Sequence, residues 1–496
     1  MDDGPKRMLT NRKEFHSNWP HARVDDVRKG FWRAAATGLA WWIFAFCAFG
    51  QSQKIEIKVD VSSVVGQIRA LHGVNGGPLH SGDTLDLSDA HRQLQVPLTR
   101  LHDCHWPNAD VVDIHVLFPD PDADPELPES YNFSRTDDYV QSILNTGSQI
   151  VFRLGESIEH SRRKYHVHPP ADADKWAAIC LGIVRHYNDE WANGFRHDIR
   201  YWEIWNEPEN RPAMWTGTDE DYFRIYAAAA KAIKGHFPEV SVGGPAVGFA
   251  GDFNADRLAP SPFVRGFLDR CRNDRVPLDF FSWHTYTNDP GEFVQRGRAI
   301  RRMLDESGFE QTENHLNEWN YLPDNDWSPM LAKQPQLRQA WFDRIRGNEG
   351  AAFTAASLIR FQDAPLDAAN YYSADIHGFG MFSEHGLPHK NYKSFKLFTQ
   401  MLQTTERLSV SGKRPDAVAI LAGINPDRTQ CTVFVSNHSQ ESYDFTVNLA
   451  SWPQDKRMEW QISSLEPNAK VTPESVTGDS LTLQLQPHSV ITIHRK

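Results

Sequence analysis

The chain has little cysteine, and the few cysteines that it has follow no pattern. Five occur in 496 residues, with no Cys-x-x-Cys pair and no pair of histidines at metal-ligand spacing. Structural zinc sites and thiol redox centres depend on such spacing, so neither is expected here. Buried free thiols are the preferred interpretation, and one disulfide is the alternative if the chain is exported.

An excess of positive charge is also missing. The chain carries 52 Lys and Arg against 64 Asp and Glu, a formal net charge of -12 at pH 7. Proteins that bind nucleic acid usually present a basic face, so this composition argues against that partner. Hydrophobic residues make up 40% and charged residues 23%, which excludes a disordered chain and a polytopic membrane protein. We expect a soluble protein with about three ordinary domains, or one large barrel with a satellite.

Long apolar runs are absent, with one exception. Residues 34–50 carry no charge, and the 33 residues before them hold eight basic and five acidic side chains. A basic leader followed by a short apolar run is typical of a secretion signal, here with a long basic region. An uncleaved signal anchor is the alternative, because the run is close to the shortest membrane span. The sequence therefore predicts an exported protein, secreted or periplasmic, that meets a membrane only if this segment is retained.

What the chain does contain is a repeating pattern of short apolar runs and amphipathic stretches between residues 70 and 403. Such alternation is typical of repeated βα units. The strand candidates are 72–75, 97–101, 149–153, 199–204, 240–245, 278–283, 314–318 and 368–372. Because a closed parallel barrel requires eight strands, the predicted fold class is α/β, a (β/α)8 TIM barrel.

The last part of the chain has a different pattern of apolar and polar residues. Residues 404–496 form short alternating runs separated by Asn, Pro, Gly and Asp, which predicts a C-terminal β-sandwich. Residues 51–69 alternate in the same way and are predicted to form a strand that joins this sandwich. The predicted organisation is a signal peptide or anchor (1–50), this strand (51–69), a catalytic barrel (70–403) and the sandwich (404–496).

Two of the strand candidates end in a glutamate between amide and aromatic side chains. Glu207 follows the candidate at 199–204, directly before Pro208, and Glu318 closes the candidate at 314–318. They are 318 − 207 = 111 residues apart, about 37 for each of three βα units, against about 31 in an average barrel. This spacing predicts that they lie on the fourth and seventh strands and face each other across the mouth. Two such carboxyl groups can break a glycosidic bond, one as a proton donor and the other as a nucleophile.

Further polar side chains are predicted near the same mouth. Asn206 is placed to bind a sugar 2-hydroxyl, and strand alternation puts Arg100 and His102 on one face and His284 and Tyr286 on another. Trp319 is a candidate for a floor or stacking contact. The candidate substrate ligands are Arg100, His102, Asn206, His284, Tyr286 and Trp319.

Over residues 70–400 the chain resembles glycoside hydrolase family 39, the retaining barrel-plus-sandwich enzymes that include β-xylosidases and α-L-iduronidases. The similarity is carried by residues 202–208, 242–246, 279–286 and 317–320. The resemblance implies that Glu207 is the acid/base, that Glu318 is the nucleophile, and that the partner is a glycoside or oligosaccharide. No metal or organic cofactor is implied, because both steps of such a reaction need only two carboxyl groups and water.

The residues beside these motifs indicate whether the sugar is charged or neutral. A uronate substrate would call for Lys or Arg beside the site, and residues 282–290 and 317–327 contain neither. A neutral sugar is therefore predicted, with β-xylosyl first. An α-L-iduronidase-like or other retaining glycosidase of the same clan is one alternative. A non-catalytic, exported glycan-binding protein is the other, and the presence of both Glu207 and Glu318 argues against it.

Overall fold

The computed structural model of the chain describes residues 53–78, 85–104, 110–452, 459–466 and 473–495. The strands in these residues are β1 (Gln53–Gln67), β2 (Gly73–Asn75), β3 (Leu98–Leu101), β4 (Gln149–Leu154), β5 (Tyr201–Ile204), β6 (Ser241–Val247), β7 (Gly251–Asn254), β8 (Arg257–Pro260), β9 (Phe280–Thr287), β10 (Glu313–Tyr321), β11 (Ala368–Tyr371), β12 (Glu406–Ser411), β13 (Val418–Ile424), β14 (Cys431–Asn437), β15 (Tyr443–Ala450), β16 (Trp460–Ser464), β17 (Ser475–Thr477), β18 (Ser480–Leu485) and β19 (Ser489–Arg495). The α-helices are α1 (Ser88–Leu94), α2 (Ile114–Leu117), α3 (Ser134–Leu144), α4 (Ala173–Asn188), α5 (Asp219–His236), α6 (Pro262–Asn273), α7 (Gly291–Glu306), α8 (Ser328–Leu331), α9 (Pro335–Arg346), α10 (Asn348–Arg360) and α11 (Lys390–Phe398).

Eight parallel strands close into a barrel. Their order around it is β10, β11, β2, β3, β4, β5, β6 and β9. Each overlaps one of the eight strand candidates, and the predicted barrel is confirmed. The carboxyl ends of parallel barrel strands meet at one mouth. Side chains that end β3, β5, β9 and β10 therefore converge, although the sequence separates them by up to about two hundred residues.

The aromatic strand β5 shows how side chains alternate between the two faces of the barrel wall. Trp202 faces outward, where its ring stacks on Phe152 of β4 with centroids 5.1 Å apart. The next residue, Glu203, faces inward, and its carboxylate is fully buried. Because successive side chains on a strand point to opposite faces, an apolar residue faces the helix layer and a charged residue faces the barrel interior.

Helix α5 illustrates how the outer layer supports the strand ends. Thr218 caps the helix, since its hydroxyl accepts from the Asp221 N–H and the Asp221 carboxylate accepts from the Thr218 N–H; this is a capping box. One turn on, the Tyr222 hydroxyl donates to the carbonyl of Ile204, at the last residue of β5, over 3.0 Å. The helix thus fixes the backbone just before the Asn206–Glu207 pair.

Nine of the remaining strands build one sheet that curls around its own core, whereas β7 and β8 pair with each other as an antiparallel hairpin. The strand order is β16, β19, β14, β13, β12, β1, β15, β18 and β17. The N-terminal strand β1 lies inside this sheet, antiparallel to β12 and parallel to β15. Ile55, Ile57 and Val59 of β1 are buried in the core of the sheet, together with residues of β13, β14, β15 and β18.

The sheet packs against the helical side of the barrel. The Ser436 hydroxyl of β14 donates to the carbonyl of Ala352 in α10 over 2.7 Å, and the rings of Phe398 and Phe434 lie 5.9 Å apart. The predicted free thiols are confirmed for the four cysteines in the described residues, which are all buried and unbonded. Burial raises the pKa of Cys104 to about 12, so this thiol is unreactive.

The segment predicted to direct export, residues 1–50, lies outside the described residues. Within the part of the chain that the structure describes, no helix has both the length and the apolar character needed to cross a membrane.

Candidate active site

Glu207 follows β5 in a turn that is held by the two neighbouring strands. The Trp205 N–H donates to the carbonyl of Leu154 in β4 over 2.8 Å, and the Glu207 N–H donates to the carbonyl of Ala246 in β6 over 3.0 Å. Trp205 and Glu207 have φ values of 69° and 43°, a region that non-glycine residues rarely occupy outside functional sites. The backbone therefore fixes where the Glu207 carboxyl group lies.

The Glu207 carboxyl group has partners on both oxygens. The Nδ1 atom of His284 lies 2.7 Å from Oε1, and the Asn210 side-chain amide donates to Oε2 over 2.9 Å. Gly248 packs directly against the carboxyl group, where a Cβ atom would lie 2.6 Å from Oε1. The Glu207 side chain is 18% exposed, against 9% for Glu318, so Glu207 is the more accessible of the two from the mouth.

Glu318 lies on β10, opposite His284 of β9. A register shift between Leu316 and Glu318 brings these two residues into line. The Tyr286 hydroxyl donates to Oε1 of Glu318 over 2.5 Å, and the Arg100 guanidinium donates to Oε2 over 3.3 Å. Burial raises the pKa of Tyr286 well above its ordinary value, so the hydroxyl keeps its proton and stays a donor to the carboxylate.

The two carboxyl groups are close together. One oxygen of Glu207, one oxygen of Glu318 and a nitrogen of His284 lie within 4.8 Å of one another. Nδ1 of His284 is 2.7 Å from Glu207 and 3.8 Å from Glu318. Carboxyl pairs about 5–5.5 Å apart suit attack by one carboxylate, whereas pairs about 6.5–9.5 Å apart leave room for an attacking water. The spacing here suits direct attack.

The electrostatics place a proton near Glu207. Burial raises the pKa of Glu318, and the nearby Glu207 carboxylate raises it further. The pKa of Glu207 is lowered, because the bonds from His284 and Asn210 outweigh the effect of burial. The pKa of His284 is raised by Glu318 and by the bond to Glu207, although burial opposes the rise. The Glu207–His284 pair therefore shares a proton, held within one short hydrogen bond of the Glu207 carboxyl group.

Arg100 lies at the centre of this arrangement, and its donors are taken up by four acceptors. Nε donates to Glu203 over 2.6 Å, and one terminal nitrogen donates to Asn206 over 2.6 Å. The other terminal nitrogen donates to Asn75 over 3.0 Å and to Glu318 over 3.3 Å. Since its oxygen accepts from Arg100, Asn206 turns its amide N–H groups towards other partners. We call Arg100, Glu203, Glu207, His284 and Glu318 the site network.

The six predicted substrate ligands do not all lie in the site. Four of them contact the site around the two glutamates: Arg100, Asn206, His284 and Tyr286. His102 directly follows β3 and lies beside Asp103, with Nε2 3.3 Å from the carboxylate. The prediction for Trp319 is wrong. Its side chain is fully buried and its ring packs edge-on against Phe361, on the helix-facing side of β10, because the residue after inward-facing Glu318 points outward.

Some residues around the site were not predicted. Glu203 lies in β5, four residues before Glu207. Its carboxylate accepts a hydrogen bond from the side-chain amide of Asn317, the residue before Glu318. Tyr372 follows β11, and its hydroxyl donates to Asp103 over 3.2 Å. Glu203 had a usable signal, since a lone acid inside an aromatic strand must face the barrel interior. Nothing in the sequence pairs Tyr372 with the site.

A second cluster of ionisable groups lies beside the ends of β3 and β4. His115 bridges two carboxylates, with Nδ1 2.6 Å from Glu156 and Nε2 3.0 Å from Asp110. Arg153 of β4 donates to the buried carboxylate of Asp113. We call Asp110, Asp113, His115, Arg153 and Glu156 the rim cluster.

Among the described residues, two groups are close enough to hold a metal ion: Glu207, His284 and Glu318, and Asp110, Asp113 and His115. In each group an arginine already contacts a carboxylate, Arg100 at Glu318 and Arg153 at Asp113. A guanidinium in that place repels a cation and satisfies the oxygens that would bind it. Both groups are better described as ion-paired networks than as metal centres.

Comparison with known proteins agrees with this geometry. A curated beta-xylosidase from Geobacillus stearothermophilus is 25% identical over 317 residues, which are 58% of this chain and 59% of that protein. A beta-xylosidase from Caldicellulosiruptor saccharolyticus is 24% identical over 339 residues, 62% of this chain and 64% of that protein. The chain thus spans about six-tenths of the length of the curated relatives that it matches.

A solved structure described as a glucosidase from Croceicoccus marinus superposes with a TM-score of 0.73 at 26% sequence identity, covering 90% of this chain and 99% of that one. The family model described as Glycosyl hydrolases family 39 matches residues 104–428. This match takes in more than half of the chain and includes both Glu207 and Glu318. The chain therefore belongs to glycosyl hydrolases family 39.

Proposed function

We propose that the protein is a retaining glycoside hydrolase that removes a terminal neutral sugar, most of all a β-xylosyl group, by double displacement. The observation that carries the proposal is the spacing of less than 4.8 Å between oxygens of Glu207 and Glu318. That spacing matches direct attack by Glu318 and leaves no room for a water molecule between the Glu318 carboxylate and the anomeric carbon.

In the first step, a Glu318 oxygen forms a bond to the anomeric carbon while the bond from that carbon to the leaving oxygen breaks. The proton shared by Glu207 and His284 passes from Glu207 to the leaving oxygen. Arg100 and the Tyr286 hydroxyl hold the attacking carboxylate in place. The Asn206 amide donates to the sugar 2-hydroxyl, a contact that strengthens as positive charge develops on the ring.

In the second step, the Glu207 carboxylate takes a proton from a water molecule, whose oxygen attacks the anomeric carbon and displaces Glu318. The sugar leaves with its original configuration after two inversions. The greater exposure of Glu207 supports this division of labour, because the leaving group and the incoming water both approach from the open side of the mouth.

A neutral sugar is favoured because the positive charge of Arg100 is already paired with carboxylates of the protein. Four of the five N–H donors of Arg100 are engaged by Glu203, Asn206, Asn75 and Glu318. Its positive charge is already shared by two carboxylates, those of Glu203 and Glu318, which disfavours Arg100 as the partner of a uronic acid carboxylate. An α-L-iduronidase-like activity is disfavoured for this reason, and the two curated relatives named beta-xylosidase support a xyloside.

A glucoside is the second candidate. It is favoured by the 26% identity with the Croceicoccus marinus glucosidase over 90% of this chain. β-Glucosides differ from β-xylosides by a hydroxymethyl group on the ring, and a pocket usually separates ligands that differ by one such group by about 10- to 200-fold.

A panel of p-nitrophenyl glycosides tests the choice of sugar. We expect kcat/KM for the β-xyloside to exceed that for the β-glucoside by about tenfold or more, with no turnover of the α-L-iduronide. A higher value for the β-glucoside would replace xylose by glucose and leave the mechanism intact. Tight oligosaccharide binding without turnover of any glycoside would instead support a non-catalytic glycan-binding protein.

Trapping the covalent intermediate tests the mechanism itself. The fluorine of a 2-deoxy-2-fluoro-β-xyloside slows both steps, and a good leaving group restores the rate of the first, so the glycosyl-enzyme accumulates. We expect mass spectrometry of a proteolytic digest to find the label on the peptide that contains Glu318. Label on any other carboxylate would overturn the assignment of the nucleophile.

We also propose that residues 34–50 direct export. The support is the uncharged run of Ala, Trp and Phe behind a basic leader, which is the usual form of such signals. Expression of the full chain should place activity outside the cytoplasm, whereas a chain starting at residue 51 should stay inside. Equal distribution of the two chains would contradict the proposal.

A further inference from the structure

One ionisable side chain inside the barrel has no part in the proposed reaction. Glu203 of β5 is fully buried, as is its partner Arg100. Glu203 lies deeper in the barrel than Glu207, four residues earlier on the chain. A carboxylate in such surroundings persists only where it is paired and hydrogen-bonded.

Both oxygens of Glu203 are used by residues next to the catalytic glutamates. Oε2 accepts from Nε of Arg100 over 2.6 Å. Oε1 accepts from the side-chain amide of Asn317, the residue directly before Glu318. Glu203 therefore ties strand β3 to strand β10 from its own position on β5.

The bond through Nε decides how the guanidinium of Arg100 is turned. A guanidinium is a rigid planar fork, so fixing Nε fixes the direction of both terminal nitrogens. One of them donates to Asn206 over 2.6 Å and the other to Glu318 over 3.3 Å. Any rotation about the end of the Arg100 side chain would weaken both contacts together.

We propose that Glu203 is a positioning residue, which locks Arg100 in the orientation that holds Asn206 towards the substrate and Glu318 towards the anomeric carbon. The inference rests on the proposed function, since it concerns the same two glutamates. It assigns to Glu203 a role in the rate of the reaction without contact with the substrate.

Charge gives Glu203 a second effect on the nucleophile. The single positive charge of Arg100 is shared between two carboxylates, and Glu203 lies closer, at 2.6 Å against 3.3 Å for Glu318. Arg100 acts to lower the pKa of Glu318, which burial raises overall. With Glu203 neutralised, Arg100 would act on Glu318 alone, and the pKa of Glu318 would fall. A less basic carboxylate is a weaker nucleophile.

The other titratable groups around Glu318 stay the same in such a variant. They are Glu207 from the end of β5, His284 and Tyr286 from β9, and Tyr372 from the end of β11. A change in the titration of Glu318 on neutralising Glu203 can then be traced to Arg100.

The test compares three variants by their pH profiles of kcat/KM with p-nitrophenyl β-xyloside. Glu203→Gln keeps the shape and removes the charge. We expect a loss of about 100-fold at the optimum, as for a small misplacement of reacting groups, and an acid limb about one pH unit lower because the pKa of Glu318 falls. Glu203→Asp keeps the charge but shortens the reach, so the rate should fall while the acid limb stays in place.

Glu313→Gln is the matched control. Glu313 also accepts from an arginine, Arg200, over 2.9 Å, but at the amino end of β10, away from the mouth. This variant should keep the acid limb and lose at most about threefold in kcat/KM, since it lacks any contact with the reacting groups.

The double variant Arg100→Met with Glu203→Gln removes both buried charges, which proteins tolerate better than the loss of one partner. If Glu203 acts through Arg100, the acid limb of the double variant should match that of Arg100→Met alone. This comparison also serves if Glu203→Gln by itself does not fold, which circular dichroism would reveal.

The outcomes separate this inference from the proposed function. No turnover of any glycoside by the wild-type protein would contradict the proposed function. Normal wild-type turnover with an unmoved acid limb in folded Glu203→Gln would overturn the effect of charge. A wild-type rate for Glu203→Asp would overturn the positioning role, and so would a different acid limb in the double variant from that of Arg100→Met.

Discussion

The site network and the rim cluster are built from the same kinds of side chain at neighbouring strand ends of one barrel. In each, a histidine lies between two carboxylates: His284 at 2.7 and 3.8 Å from its partners, and His115 at 2.6 and 3.0 Å. In each, a buried arginine contacts a carboxylate. The residue types alone do not separate a catalytic site from an ion-paired loop.

What differs is how the groups are held and what they face. Arg100 donates to four acceptors that lie in or directly after three barrel strands, β2, β5 and β10. Arg153 contacts Asp113 and Ser157, and its Nε and one terminal nitrogen have no hydrogen-bond partner among the described residues. The site network spans the mouth of the barrel, whereas the rim cluster joins the α2 segment to the end of the adjacent strand β4. Carboxylates that face each other across the mouth leave room for a sugar between them.

The largest difference is expected on removing one carboxylate from each group. Glu318→Ala should lower kcat by about 10⁴-fold or more, since it deletes the proposed nucleophile. Glu156→Gln should stay within about threefold, because Glu156 contacts no reacting group. Release of nitrophenol from the β-xyloside measures both. Comparable losses in two folded variants would remove the distinction between the groups.

Chemical rescue sharpens the comparison. Glu207→Ala should turn over a dinitrophenyl β-xyloside, which needs little proton donation, far better than a nitrophenyl or alkyl xyloside. Added azide should restore turnover and give the β-xylosyl azide, since no general base is then needed to activate the second nucleophile. The α-azide should form with Glu318→Ala instead. Azide should have no effect on Glu156→Gln, and rescue of that variant would contradict the account.

The pH dependence of activity should depend on His284 and not on His115. The pKa of His284 is raised by Glu318 and Glu207, so the proton of the pair should be lost only above about 6.5, the ordinary histidine value. The basic limb of kcat/KM should therefore lie above that pH. His284→Asn leaves the proton on a lone carboxyl group and should move the limb to lower pH. His115→Asn should leave it unchanged, and a shift there would break the comparison.

The smallest expected effect concerns thermal stability, whose pH dependence should come mainly from the rim cluster. Glu156, Asp113 and Asp110 raise the pKa of His115 to about 9, although burial opposes the rise. The contribution of His115 to stability is then fully present below about pH 6.5, the unfolded value, and is lost as the pH rises towards 9. Tm should fall by about 2 °C over that range. His115→Gln should lower Tm at pH 6.5 and flatten the profile, whereas an unchanged slope would contradict this role.

The sequence predicts the barrel well because each strand is short, apolar and separated from the next by a helix-length stretch. It also predicts residues at or near the carboxyl ends of strands, namely Arg100, Asn206, Glu207, His284 and Glu318, because a closed parallel barrel gathers these ends at one mouth. Their positions can be predicted without knowing the paths of the loops.

The errors and omissions have physical causes. Trp319 follows an inward-facing residue, so alternation sends its ring to the helix layer, where Phe361 packs against it. Glu203 sits in mid-strand, and its importance depends on which partner faces it across the barrel. The rim cluster was not predicted, since His115 lies in the short helix α2 and Glu156 in the loop after β4, and their approach depends on backbone bonds such as that from Ile114 to Gly155.

The anomeric configuration of the first product tests the central claim most directly. Hydrolysis of a β-xyloside by the wild-type protein can be followed by proton NMR over the first minutes, before mutarotation mixes the anomers. Double displacement through Glu207 and Glu318 predicts that β-xylose appears first and that α-xylose grows in later. If α-xylose appears first, the reaction inverts, and the assignment of Glu318 as a nucleophile is wrong.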